Sequence, residues 1–181
     1  MRGLATRRLS IAAAALAALA LFAAAGAAAG GDAAHQHAQA GKASPAWESM
    51  KSLQGDWEGL YQSKVKTSVS YRLVSNGTAL METLVAPDAS DMVTMYHPDG
   101  ERVAMTHYCS ENTQSRMRAP GTDGKRIAFS FVDVSNLASP DAMRMTGLVL
   151  TLKDPDHFSA QWTGTGMGKS DTSLFEFTRK K

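Results

Sequence analysis

Turn-forming residues punctuate this chain at nearly even intervals. Asn76-Gly77, Asp99-Gly100, Asp123-Gly124 and Asp154-Pro155-Asp156 separate short segments in which apolar and polar residues alternate. Asn-Gly and Asp-Gly accept positive φ at low cost and so close tight hairpins. A chain that reverses this often builds an antiparallel meander, and a long meander removes its free edges most simply by closing on itself. The expected fold class is all-β: an up-and-down antiparallel barrel of about ten strands behind a short N-terminal helix. The rival arrangement is an open sandwich of two sheets.

The segments read as strands begin around Trp57 and Tyr61 and continue at 67–74, 78–85, 92–97, 102–109, 115–119, 126–133, 144–152, 157–163 and 172–179. Residues 134–142 read as a helical turn or a loose loop, and Gly164, Gly166 and Gly168 as a flexible final connection. Ser44-Pro45 is a helix start, serine as N-cap and proline pre-set for the first turn. Trp47, Met50 and Leu53 follow at helical spacing before Gly55. So short a helix must pack its apolar face on something, and one mouth of the barrel is the natural place.

Upstream, residues 1–29 read as an export signal. Arg2, Arg7 and Arg8 precede an apolar run from Ile11 to Ala25, and small residues with Ala-x-Ala frames follow. The run is short for a membrane span. Thr6-Arg7-Arg8 hints at twin-arginine export, but Ser10 stands where that motif prefers a bulky apolar residue, which favours ordinary secretion. Residues 30–43 read as a flexible leader with little apolar bulk, in which His35 and His37 read as part of a solvated tail rather than as a weak chelating pair for copper or zinc. The barrel domain is expected over 44–181. Removing the signal takes away three arginines and no acids, so the formal charge of +2 falls to about −1. With no basic stripe interleaved with aromatics, nucleic acid is not an expected partner, nor is a membrane once the signal is gone. Cys109 is the only cysteine, so no internal disulfide forms, and it reads as a small buried residue.

Leu53-x-Gly55-x-Trp57-x-Gly59 at the start of the first strand, followed by the meander, resembles the calycin superfamily, which includes lipocalins, fatty-acid-binding proteins and nitrobindin-like heme barrels. Thr106-His107-Tyr108-Cys109 resembles a segment of uncharacterised secreted bacterial lipocalin-like proteins. The resemblance implies that Trp57 plugs one end of the barrel in a structural role. It does not bring the paired arginine and tyrosine that clamp fatty-acid carboxylates, since Arg179 stands alone. His157, the only late histidine, sits beside a turn, which suits a solvated strand end better than a heme ligand.

The densest polar cluster runs from His107 to Arg118. His107 and Cys109 share one strand face, as do Arg116 and Arg118 with Met117 opposite, and Tyr71 and Glu82 sit mid-strand among apolar neighbours. Turned inward, these groups line a cavity with a few polar anchors; turned outward, they form a solvent face. The candidate ligand-binding set is Tyr71, Glu82, His107, Asn112, Gln114, Arg116, Arg118, Phe129 and Phe131. No nucleophile elbow, P-loop or His-Glu-x-x-His is present. The leading reading is an exported, non-enzymatic binder of a small apolar or amphipathic molecule. One alternative is a periplasmic heme or copper handler, using His107, Cys109 and the soft sulfurs of Met92, Met95, Met105 and Met117. The other is an interaction module with a barrel filled by its own side chains.

Overall fold

The computed structural model describes residues 43–85 and 90–181. The expected export signal and nearly all of the expected leader, His35 and His37 included, lie outside the described residues. A seven-residue helix, α1 (Pro45–Lys51), precedes ten strands: β1 (Gly55–Tyr61), β2 (Val65–Val74), β3 (Ala79–Val85), β4 (Met92–Asp99), β5 (Arg102–Tyr108), β6 (Gln114–Pro120), β7 (Arg126–Ser135), β8 (Arg144–Asp154), β9 (His157–Gly166) and β10 (Lys169–Arg179). Each strand pairs antiparallel with the next, and β1 pairs with β10 to close the barrel. The open sandwich is thereby excluded. Residues 136–143 form bends and turns without a helix. The last connection is tighter than its glycines suggested. It reverses at Met167-Gly168, both with positive φ, and extends the β9–β10 ladder to Gly166↔Lys169.

α1 stops one end of the barrel. Ser44 caps it, accepting from the Trp47 amide at 3.3 Å, and Ala46, Trp47 and Met50 are buried. The Ala46 amide donates to the Gly121 carbonyl at 3.0 Å. A side chain at Gly121 would run into the Glu101 carbonyl and Ser44, so this loop carries glycine to let the helix dock. Above the helix the interior is filled. Trp57, Tyr71, Leu80, Tyr96, Met105, Met117, Ile127, Leu148, Leu150 and Phe158 are among its buried side chains. Trp57 meets Phe158 edge-on at 4.8 Å, and Phe158 stacks on Phe177 at 4.9 Å. The lower barrel is a packed core, and among the described residues a pocket opens at the end opposite α1. No helix among the described residues is long and apolar enough to cross a membrane.

Gly59 marks the closure seam. It pairs with Phe177 across β1–β10, and a Cβ there would lie 2.2 Å from the Glu176 carbonyl oxygen and 2.6 Å from the Phe177 ring. Both obstacles belong to the strand that closes the barrel, so neither moves without opening the seam. Gly59→Ala is expected to cost at least about 2 kcal/mol, at the upper part of the overpacking range. Urea denaturation followed by circular dichroism measures it, and an unchanged midpoint would show that the seam yields to a methyl group.

Candidate functional site

Strand parity decides what faces inward. On β5, Val103, Met105 and His107 are buried, whereas Arg102 and Tyr108 are exposed. His107 therefore belongs to the inner face. It is the fourth residue in a row that crosses four strands in register: Tyr71 on β2 pairs with Glu82 on β3, Glu82 with Thr94 on β4, and Thr94 with His107 on β5. Directly paired residues on one face bring their side chains together, and here the whole row is polar.

The row is joined by hydrogen bonds. The hydroxyls of Tyr71 and Tyr96 each donate to Glu82 Oε2 at 2.7 Å. Thr94 Oγ1 lies 3.3 Å from Glu82 Oε1 and 2.9 Å from His107 Nδ1. No lysine or arginine among the described residues pairs with Glu82. Burial therefore pushes its carboxyl above the usual carboxylate range, against the three hydroxyls that favour the charged form. Burial, with the neighbouring carboxylate, drives both phenols well above their ordinary value, so they remain donors. Burial alone lowers His107 to about 4, so its imidazole is neutral near pH 7. The ring packs at a tilt against Trp162, centroids 4.4 Å apart, and Nε2 is buried without a hydrogen-bond partner. Such orphaned polar atoms are uncommon in folded proteins and call for an explanation.

His107 lines a pocket of about 200 Å³ in the end of the barrel opposite α1. It is lined by Tyr61, Leu84, Met92, Met145, Trp162, Ser173 and Phe175 from the strands, with Cys109, Ser110 and Glu111 from the β5–β6 turn at its rim. The volume is below the roughly 300–1,000 Å³ of drug-sized clefts. Cys109 is half-buried at the rim, and burial raises its thiol, so it is not an activated thiolate. A wider depression outside β1, β2, β9 and β10 is lined by Glu58, Lys66, Lys153 and Glu176; it is open to solvent and has no orphaned polar atom.

The nine candidate residues divide. His107 lines the pocket, while Tyr71 and Glu82 sit deeper in the barrel and reach it through Thr94. Phe129 is buried against Tyr96, ring centroids 5.6 Å apart, in the packed core. The other five are not brought to the pocket. Arg116 and Arg118 face outward in ion pairs with Asp133 and Asp99. Asn112 is exposed at the β5–β6 turn with positive φ, its carbonyl accepting from Asn136. Gln114 accepts from the Ser135 hydroxyl at 3.3 Å. Phe131 pairs with Met117 but lies beyond Ser130↔Gly147, the last β7–β8 pair, and is 38% exposed. The soft-sulfur set is dispersed as well. Met105 and Met117 lie in the core, Met95 has the outward parity of β4, and only Met92 and Cys109 reach the pocket.

Compared with protein-family models and with curated proteins, the chain has no match. The architecture itself, a closed ten-stranded antiparallel barrel stopped by a helix, is compatible with the calycin fold. Residues that sequence reasoning passed over complete the site: Thr94 and Tyr96 in the polar row, and Trp162, Met145, Tyr61 and Phe175 in the walls.

Proposed function

We propose that the barrel is a binding protein whose open end holds a small, mostly apolar molecule of about one ring, with one polar group directed at His107. One observation carries this reading: a neutral, buried histidine with an unpartnered Nε2 stands among apolar and aromatic walls, whereas the Tyr61 and Ser173 hydroxyls on the pocket's lining are partnered with each other. An apolar pocket with few convergent polar groups is what small-molecule recognition requires. Nε2 is covered by its neighbours, so ligand entry includes a small shift of the Trp162 or methionine side chains. On the reading of residues 1–29 as an export signal, the carrier works outside the cytoplasm, and as a lipocalin-like barrel it performs no chemistry on its cargo.

p-Cresol tests the proposal, since one ring and one hydroxyl match the pocket. Titration followed by tryptophan fluorescence is expected to saturate, because Trp162 lines the site. His107→Phe keeps an aromatic ring against Trp162 but removes the hydrogen bond, and should weaken binding about tenfold. Failure of p-cresol, indole and benzyl alcohol to saturate, together with an unliganded mass for protein from its native host, would identify the barrel as a filled interaction module.

A further inference from the structure

The pocket explains why His107 faces inward but not why a carboxyl group with no cationic partner stands behind it. Glu82 is buried on the far side of Thr94 from His107 and does not line the pocket. It is tied by two phenols at one oxygen and one threonine hydroxyl at the other. Each phenol has a single hydrogen-bond partner in this network, Glu82 Oε2, so both donate to it. The one adjustable element is the Thr94 hydroxyl, which owns a single hydrogen and stands between two groups, Oε1 of Glu82 and Nδ1 of His107.

That arrangement has two self-consistent proton patterns. With Glu82 ionised, the Thr94 hydroxyl donates to Oε1 and its oxygen accepts from Nδ1–H, which leaves Nε2 a bare acceptor. With Glu82 protonated, Oε1–H donates to the Thr94 oxygen, the hydroxyl donates to Nδ1, and the imidazole proton resides on Nε2. We propose that Glu82 is the specificity-determining residue of the pocket, acting through Thr94 to set whether His107 offers the ligand an acceptor or a donor. Resting on the binding role proposed above, this assigns the ligand class. An ionised Glu82 selects a neutral hydrogen-bond donor such as a phenol, alcohol or azole N–H, and a protonated one selects an acceptor such as a carboxylate.

The exchange balances as a relay. One proton arrives at Nε2, the Nδ1 proton passes to the Thr94 oxygen, and the threonine's original proton passes to Oε1. The network gains one proton, Glu82 loses its charge, and His107 stays neutral while changing tautomer. The groups facing Glu82 from the neighbouring strands are Tyr71 on β2 and Thr94 and Tyr96 on β4. Those near His107 are Ser115 on β6, Trp162 on β9 and the rim thiol of Cys109. The phenols are held neutral by burial, the exposed Glu111 at the rim is outside the row, and His107 charges only near pH 4, so above that pH Glu82 is the group within the row that changes charge. The hidden carboxyl also gains a route to solvent, since no other chain of hydrogen bonds connects it to the pocket among the described residues.

The test is long-range ¹H–¹⁵N spectroscopy of the histidine rings in the full chain, with His107 assigned by its loss in His107→Phe. In the wild type the His107 tautomer should change from Nε2–H to Nδ1–H at the pH where the Glu82 carboxyl carbon titrates. Glu82→Gln keeps the shape and replaces Oε1–H by a permanent amide donor, so His107 should stay Nε2–H at every pH at which the fold persists. Thr94→Val, which cuts the link, should uncouple the tautomer from Glu82 and guards against a Gln variant that does not fold. A histidine that keeps one tautomer throughout the wild-type titration and in Glu82→Gln overturns the proposal. The ligand arm separates it from the binding role. p-Cresol should bind Glu82→Gln about tenfold more weakly than the wild type in its Nδ1–H form, while 3-phenylpropionate gains. A tautomer that switches with no binding of either probe leaves the relay standing and removes the binding role. Equal p-cresol binding with a fixed tautomer does the reverse.

Discussion

Trp57→Ala is expected to lower the unfolding free energy by about 3–5 kcal/mol, the range for a buried tryptophan. That is a large share of the roughly 5–15 kcal/mol available to a domain. Trp57 is buried at the α1 end, where three kinds of contact meet on its ring. Its ring meets Phe158 at right angles, and through Phe158 it joins Tyr71 and Phe177. Its Nε1 donates to the Leu53 carbonyl at 2.8 Å, which ties β1 to the segment after the helix. Its face carries the Arg179 guanidinium at 4.1 Å. Arg179 in turn donates to the carbonyls of Ser52 and Gln54 at 2.9 Å, so the C-terminal strand is fastened to the end of the helix through this ring. Truncation leaves a cavity, an orphaned carbonyl and an arginine without its platform. Trp57→Phe keeps the edge contact and loses the hydrogen bond, so it should fall between the two. Urea midpoints at constant slope decide the matter. A loss under about 1 kcal/mol would mean that the plug is not tightly packed.

Much of this fold was written in the turns. Asn76 and Gly77 fall at the centre of a hairpin whose register places Tyr71 opposite Glu82, and that pair was open to anyone counting outward from the turn. On β5, His107 shares parity with Val103 and Met105, which is the sequence signal for its inward face. Two things were not legible. Met117 pairs with Phe131 and Arg116 with Asp133, so Val132 is an extra residue that breaks the alternation of β7. Counting by twos from Ile127 and Phe129 gives Phe131 the inner face, but not the loss of cover where β8 leaves its side. Trp162 meets His107 across the lumen rather than through adjacent strands. Pairing rules reach only the neighbouring strand, so a wall built by closure is invisible to them.

The second large effect is on acid stability, and two buried groups pull in opposite directions. The folded protein holds His107 neutral down to about pH 4, whereas the unfolded chain binds a proton near 6.5. Between those values the unfolded state carries the extra proton. The stabilisation is therefore complete above pH 6.5 and lost as pH falls toward 4, about 3 kcal/mol for one group over that interval. Glu82 has the opposite sign. Its folded carboxyl is raised, so the folded state keeps a proton that the unfolded chain releases. Its contribution is full below about 4.5, the ordinary glutamate value, and fades as pH rises through the folded value. Between about pH 4.5 and the raised folded value of Glu82 the two offset each other, and the wild type should respond less to acid than its histidine alone would dictate. Glu82→Gln removes the opposing group. Compared with Glu82→Gln/His107→Phe, it should lose about 3 kcal/mol between pH 7 and pH 4. All other ionisable groups are common to the two variants and cancel in that difference. Chemical denaturation at several pH values reads it directly, and two parallel curves would mean that His107 is solvated in the folded barrel rather than sealed beneath the pocket.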